Sequence, residues 1–339
     1  MPMSPAGVSR FRRPVLLIVG CGDVGLRVAR RLAGRWRVLA LTTQRERVGE
    51  LRAAGVVPLV GDLDVPATLG RLGGVAYAVL HLAPPPGVGA TDPRSAALIA
   101  ALARGGRVRR AVVVSTSGVY GDCAGARVDE TRALRPTTTR ARRRVDAERR
   151  WRHWGRAGGV AVTLLRVPGI YGPGRGEHPG LRGAKGQPVL RPEDDVYTNH
   201  VHADDLARAC IAALHRGLPQ RAVNVSDDSA LRMADYFDRA ADIAGQPRPE
   251  RVSRAEAASR LGAASMSFLG ESRRLVNTRL KRELRVRLRW PTVEEGLRDP
   301  GWGLATVRAP LADAAHAAPA RPRAHLPVAV AETPGVASA

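Results

Sequence analysis

A doubly wound α/β fold, a parallel sheet with helices on both faces and a small C-terminal substrate-cap region, is predicted by three features. Apolar runs alternate with helical stretches from Pro14 onward, the runs are continuous rather than alternating, and a glycine-rich turn joins the first run to the first helix. Strands buried on both faces read as unbroken apolar runs, which separates a covered parallel sheet from a half-solvated antiparallel one.

The first strand is expected over Val15–Val19 and the helix after it over Val24–Leu32. Val38–Leu41 forms a second strand, followed by a helical stretch at Glu46–Ala54. Val56–Val60 is a third strand, ending in Gly61 and Asp62. Val75–Leu82 is a fourth, closed by Pro84-Pro85-Pro86. A helix over Arg94–Ala103 leads to a fifth strand at Ala111–Ser115. Beyond Arg166 the pattern loosens. Gly169–Pro188 is a long Gly/Pro-rich loop, a candidate substrate lid. Helices follow at Ala203–His215, Ala230–Ala244 and Ala255–Leu261. The expected organisation is a basic arm (1–13), a nucleotide-binding domain (14–168) and a cap region with returning sheet elements (169–307). A disordered Ala/Pro-rich tail (308–339) completes it.

Composition narrows the function classes. No run reaches the 18 or so apolar residues of a spanning helix, so no membrane span is expected. Arg10, Arg12 and Arg13 before an apolar run and Cys21 resemble an export signal, but the run continues into the glycine turn and reads better as a buried strand. Cys21, Cys123 and Cys210 are odd in number and widely spaced. They predict neither disulfide nor zinc site and fit a cytoplasmic protein. The net charge of +23 raises nucleic acid as a partner, yet Lys185 and Lys281 are the only lysines and the arginines spread along the whole chain. Dispersed charge supplies nonspecific affinity only; specific nucleic-acid binding is not expected.

The turn reads Gly20-Cys21-Gly22-Asp23-Val24-Gly25. Gly20 permits the tight turn, Gly22 lets a pyrophosphate approach backbone, and Gly25 lets helix pack on sheet. The helix N-terminus then faces phosphate. Between a strand and a helix, this is a dinucleotide-binding turn. The second strand ends Thr42-Thr43-Gln44-Arg45, without the Asp or Glu that holds the 2′-hydroxyl of NAD. Thr42 and Arg45 suit a 2′-phosphate, so NADP is expected ahead of NAD.

With these residues the chain resembles extended, atypical short-chain dehydrogenases/reductases of the NAD-dependent epimerase/dehydratase type, over about residues 14–300. The carriers are the glycine turn, Gly61-Asp62-Leu63, Ser115-Thr116-Ser117-Gly118-Val119-Tyr120-Gly121 and Arg166-Val167-Pro168-Gly169-Ile170-Tyr171-Gly172-Pro173-Gly174. His202-Ala203-Asp204-Asp205-Leu206-Ala207 and Asn224-Val225-Ser226 complete the set. The glycine turn and the Arg-rich segment after Pro136 are most similar to the YeeZ-like subgroup. The resemblance implies a seven-stranded Rossmann-type sheet with a small C-terminal cap. It places Asp62 and Leu63 near the adenine, and Ala83 and Val167 beside the cofactor. It also implies a Ser/Thr, Tyr and Lys active site, with the last two as YxxxK on a helix.

Here the sequence departs from that pattern. Thr116 occupies the Ser/Thr position, but Arg140 and Arg144 stand at the Tyr and Lys positions. Arg stays protonated, so Arg140 cannot perform Tyr-type proton transfer; Arg144 can still hold ribose or phosphate as a cation. Tyr171 and His200 are the candidate replacement acids, and Tyr120, Tyr197 and His202 lie near the same motifs. His200-x-His202 with Asp204 and Asp205 is read as a helix start, the acids capping the helix, rather than as a metal site. The arginines at 140 and 142–144 point to an anionic small-molecule ligand. Two readings follow: an oxidoreductase or epimerase-like enzyme on a sugar-nucleotide or small carbonyl/hydroxyl substrate, or a non-catalytic NAD(P)H-binding redox sensor or scaffold. A second titratable group above Thr116 would favour the enzyme. A homodimer is left open.

Overall fold

The computed structural model describes residues 13–304. The arm before Arg13 and the tail 308–339 lie outside them. Seven parallel strands form the central sheet: β1 (Val15–Val19), β2 (Arg37–Thr42), β3 (Val57–Val60), β4 (Ala78–His81), β5 (Arg110–Thr116), β6 (Ala161–Val167) and β7 (Arg221–Asn224). Their spatial order is β7-β6-β5-β4-β1-β2-β3. The direction of winding reverses between β1 and β4, and ligands of open parallel sheets bind at such a switch point.

The apolar runs are explained by burial on both faces. Leu16 and Ile18 of β1 join one core with α1 (Asp23–Leu32) and the later helix Ala203–Arg216. Leu17 and Val19 join the opposite core with Leu98 and Leu102 of Pro93–Ala103 and with Trp151 of Thr139–Ala157. Successive side chains of a strand point to opposite faces, so one strand feeds both cores.

The expected fourth strand is shorter than its apolar run, starting at Ala78 because Gly73 and Gly74 turn the chain just before it. The stretch Glu46–Ala54 divides into a 3-10 turn at Arg45–Arg47 and a helix at Val48–Ala53. β6 and β7 are not among the strands expected above, and only β7 lies beyond Arg166, where the sequence pattern loosens. β7 is held by more than its ladder: Asn224 Nδ2 donates to the Val128 and Val276 carbonyls at 3.1 and 3.2 Å.

The loop after β6 is anchored. Gly169–Tyr171 pairs in parallel with His200–His202. Gly180 packs so closely on the helix Met233–Ala244 that a Cβ would stand 2.2 Å from the Ala240 carbonyl oxygen. A strap at Gly270–Val276 returns across the β5 loop, with Ser272 accepting from Cys123 and Gly125 N–H at 3.0 Å each. No helix among the described residues is long and apolar enough to cross a membrane.

Candidate functional site

The glycine turn sits at the sheet's switch point. Gly20 has φ +85°, and a Cβ there would stand 2.5 Å from the Ala83 backbone nitrogen, so only glycine fits. Gly25 lies against Ile18 and Cys21, its Cβ position 3.3 and 3.2 Å from them. At Gly22 a Cβ would meet nothing within 4 Å. Gly22 is the N-cap of α1 and supplies no side-chain cap, so first-turn N–H groups of a ten-residue helix face that open space. This cradle fits a dinucleotide pyrophosphate.

A groove of about 440 Å³ runs from the turn along the ends of β2 and β3. Gly20, Cys21, Gly22, Thr42, Asp62, Leu63 and Ala83 all line it, as the sequence predicts. Arg45 does not line it. The 3-10 turn carries Arg45 outward to solvent and brings Arg47 back to the wall. Arg47 Nε pairs with Glu50 at 2.9 Å. Among the described groove-lining residues at the end of β2 (41–44) there is no carboxylate. Val24 and Val167 are buried in the core, and Asp23 in the first turn of α1 pairs with Arg27 at 2.8 Å. Burial pushes the Cys21 thiol up to about 11, so it is a packing group rather than a nucleophile.

Beyond the turn lies a cavity of about 430 Å³ beside the end of β5. It holds four residues singled out from the sequence: Thr116, Arg140, Tyr197 and His200. The Thr116 hydroxyl oxygen accepts the Gly118 N–H at 3.2 Å, which leaves its own O–H free to donate. The Arg140 guanidinium lies over the Phe268 ring, 4.3 Å from its centroid. Arg144 points under the cavity and donates to the Val114 carbonyl at 2.9 Å. Burial, with the nearby charge of Arg140, pulls its guanidinium down to about 10, so it stays a cation at neutral pH.

The candidate replacement acids separate. His200 faces the cavity but is stacked on Tyr236, with ring centroids 3.9 Å apart. Burial pulls its imidazole down to about 3, so it is neutral at pH 7 and is not an imidazolium acid there. Tyr171 is turned into a core with Tyr236, Val293 and Leu297, its hydroxyl 3.5 Å from the Thr292 carbonyl. Burial pushes that phenol up, and it does not line the cavity. Tyr120 donates to Asn224 Oδ1 at 2.7 Å and accepts from Arg166 at 3.0 Å. Arg166 also grips Glu148 through two bonds of 3.1 and 2.8 Å, both side chains 2 % exposed. This motif arginine and tyrosine therefore form a buried scaffold under the site.

The expectation for Asp204 and Asp205 needs correction: they are first-turn residues, and His202 is the N-cap, its Nδ1 accepting the Asp204 N–H at 3.3 Å. Asp205 accepts the N–H groups of Arg289 and Trp290 at 2.8 Å each, while Asp204 pairs with Arg27 and Arg31. Among the described residues no group of three His, Cys, Asp or Glu side chains could hold a metal ion.

The strap contributes a residue that sequence reasoning missed. Glu271 lines the cavity and is fixed on two sides, its Oε1 accepting from Thr137 at 2.7 Å and its Oε2 from two Arg273 nitrogens at 2.9 Å. A Cβ on Gly118 would stand 3.6 Å from the Thr116 hydroxyl oxygen and 3.9 Å from Glu271 Oε2. Thr116 and Glu271 thus both lie close to Gly118 in the wall of this cavity. Arg175 and Arg182 also line this cavity. Arg175 directly follows the Gly172-Pro173-Gly174 motif, a signal the sequence did offer; Glu271 sits in no motif.

Comparison with known proteins agrees with this geometry. No curated protein matches the chain significantly. A functionally unknown conserved protein from Silicibacter pomeroyi is 33% identical, with TM-score 0.71, covering 84% of this chain and 96% of that one. UDP-glucose 4-epimerase from Thermotoga maritima, solved with UDP-glucose, shares the fold at 19% identity, TM-score 0.69 and the same coverages of 84% and 96%. UDP-glucuronic acid 4-epimerase from Bacillus cereus, solved with NAD, does so at 16% identity and TM-score 0.67, covering 84% of this chain and 96% of that one. The model of the NAD dependent epimerase/dehydratase family matches residues 16–226. With its glycine turn at the switch point and Thr116 at the end of β5, the chain belongs to the NAD-dependent epimerase/dehydratase family.

Proposed function

We propose that this chain is an NAD(P)-dependent oxidoreductase or epimerase-like enzyme acting on a small, anionic hydroxyl or carbonyl substrate, a sugar nucleotide among them. Its proton acceptor is Glu271 in place of the family's tyrosine. The observation that carries this reading is that the Thr116 hydroxyl and the Glu271 carboxylate belong to the wall of one cavity beside Gly118. Bound in the groove, the dinucleotide supplies a hydride acceptor or donor. Thr116 donates a hydrogen bond to the substrate oxygen and orients it. Glu271 takes the hydroxyl proton as the carbon gives up its hydride, and returns it in the reverse direction. Arg273 fills both acceptor positions of Oε2 and Thr137 one of Oε1, which leaves one on Oε1 for the substrate. Arg140 supplies positive charge at the cavity wall, where it can stabilise a developing oxyanion.

NADP is the favoured dinucleotide. Arg47 in the groove wall and the missing carboxylate at the end of β2 support it, and Arg47 takes the place the sequence assigned to Arg45. The second reading, a non-catalytic NAD(P)H sensor, draws on Arg140 and Arg144 at the Tyr and Lys positions and on the neutral His200. The test is to incubate parent and Glu271→Gln proteins with NADP⁺ or NAD⁺ and a panel of sugar nucleotides and secondary alcohols, following nicotinamide absorbance. Turnover by the parent and its loss in the variant support the enzyme. Cofactor binding without turnover across the panel supports the sensor.

A further inference from the structure

The turn between Gly172 and Gly176 is fastened to the first turn of α1 through charged side chains. Arg27 donates to Asp23 Oδ1 at 2.8 Å, to Asp204 Oδ1 at 2.7 Å and to the Pro173 carbonyl. The other oxygen of Asp23, Oδ2, is held by Arg175 Nη1 at 3.2 Å. Arg175 is also part of the wall of the cavity that contains Thr116. Arg175 therefore connects the start of α1 with the wall of the cavity that contains Thr116.

The charges around this span are unbalanced for the expected ligand. A pyrophosphate over Gly22 arrives next to the Asp23 carboxylate, a like charge that weakens binding unless a cation intervenes. Arg27 is already committed to three acceptors. Arg175 has one bond to Asp23 and a side chain 28 % exposed, so its remaining donors are free to turn. A guanidinium is suited to bridge two phosphate oxygens.

We propose that Arg175 is a ligand for the dinucleotide pyrophosphate, held by Asp23 until the phosphates arrive and then bridging them. This rests on the dinucleotide reading above. Transfer of Arg175 to the phosphates draws the 172–176 turn over the cofactor and fixes one wall of the substrate cavity, so cofactor binds before substrate.

The test is calorimetric titration of parent, Arg175→Ala and Asp23→Asn proteins with NADPH, and with 2′-AMP as a probe lacking the pyrophosphate. Thermal midpoints confirm that the variants fold. Arg175→Ala is expected to lose about tenfold or more in NADPH affinity, with 2′-AMP affinity unchanged. Asp23→Asn is expected to bind NADPH at least as tightly as the parent, because the competing carboxylate is gone. Parent-like NADPH affinity in Arg175→Ala overturns the assignment. So does an equal loss in both variants, which would mean the ion pair only holds the turn in place. A parent that binds neither NADPH nor NADH instead removes the dinucleotide reading itself.

Discussion

The Thr116 hydroxyl and the Glu271 carboxylate approach a common point over Gly118, 3.6 and 3.9 Å from where a Cβ would stand. They come from distant parts of the chain, one from the end of β5 and the other from the strap that returns over the site. On the proposed reading, Glu271 is the proton acceptor of a cavity that also holds Arg140.

Replacing Glu271 by Gln preserves size and the Thr137 contact but removes the acceptor for the substrate proton. Loss of a positioned acid or base costs about 10²–10⁴-fold in rate. Turnover in Glu271→Gln is expected to fall by that amount, with stabilisation by NADPH retained. Arg140→Ala, which removes a charge and not a base, is expected to cost less in kcat than Glu271→Gln.

Two glycines of the turn should respond in opposite ways. Gly22→Leu meets open space in the free protein and should fold normally, yet its side chain fills the pyrophosphate position. Thermal stabilisation by NADPH should vanish. Gly20→Ala puts a Cβ 2.5 Å from the Ala83 nitrogen at a φ of +85°, so it should destabilise the free protein by roughly 1–3 kcal/mol. Thermal denaturation of both variants, with and without NADPH, checks the contrast.

Arg47→Ala should reduce the preference for NADPH over NADH, and Arg45→Ala should leave it unchanged, because Arg47 alone of the two lines the groove. Calorimetry with both dinucleotides decides it. This pair also shows what the sequence could convey. The missing carboxylate after β2 was legible, as was an arginine close to it. Which arginine supplies it depends on a 3-10 turn that rotates the chain after Gln44, and no periodicity marks so short an element.

The same limit applies on a larger scale. β1, β2, β4 and β5 were legible because strands covered on both faces are apolar throughout, and β3 because its edge run is apolar although Val57 and Val60 are exposed. β7 was not: Asn224 at its end is buried through bonds to Val128, Val276 and Tyr120, a network of residues far apart in sequence. Glu271 was invisible for that reason too. Its role comes from Thr137 and Gly118, more than 130 residues away, and an acid on an Arg-rich chain reads as one more ion-pair partner.

The scaffold below the site should be sensitive to charge removal. Glu148→Gln leaves the Arg166 guanidinium buried without its counter-charge. A buried pair broken on one side costs about 3–5 kcal/mol, so a large drop in thermal midpoint is expected. Arg144→Lys, at a site bonded only to the Val114 carbonyl among the described residues, should be far milder.

Stability should fall in acid through two buried imidazoles. Burial pulls His81 and His200 down to about 3 in the folded chain, against about 6.5 when unfolded. Between those values the unfolded chain binds the extra protons, so stability rises with pH across about pH 3 to 6.5 and is level above it with respect to these groups. Denaturant midpoints measured from pH 4 to pH 7 should climb. The slope should flatten in His81→Phe, whose ring can keep the stacking on Trp151.

The central claim is that a dinucleotide lies across the glycine turn and brings its nicotinamide to the Thr116–Glu271 gap. A crystal structure of the protein with NADPH tests it most directly. Expected are phosphates over Gly22, the 2′-phosphate at Arg47, and the nicotinamide beside Thr116 with Glu271 facing the same space. A groove that stays without dinucleotide at saturating NADPH would contradict it, as would a nicotinamide ring directed away from Glu271.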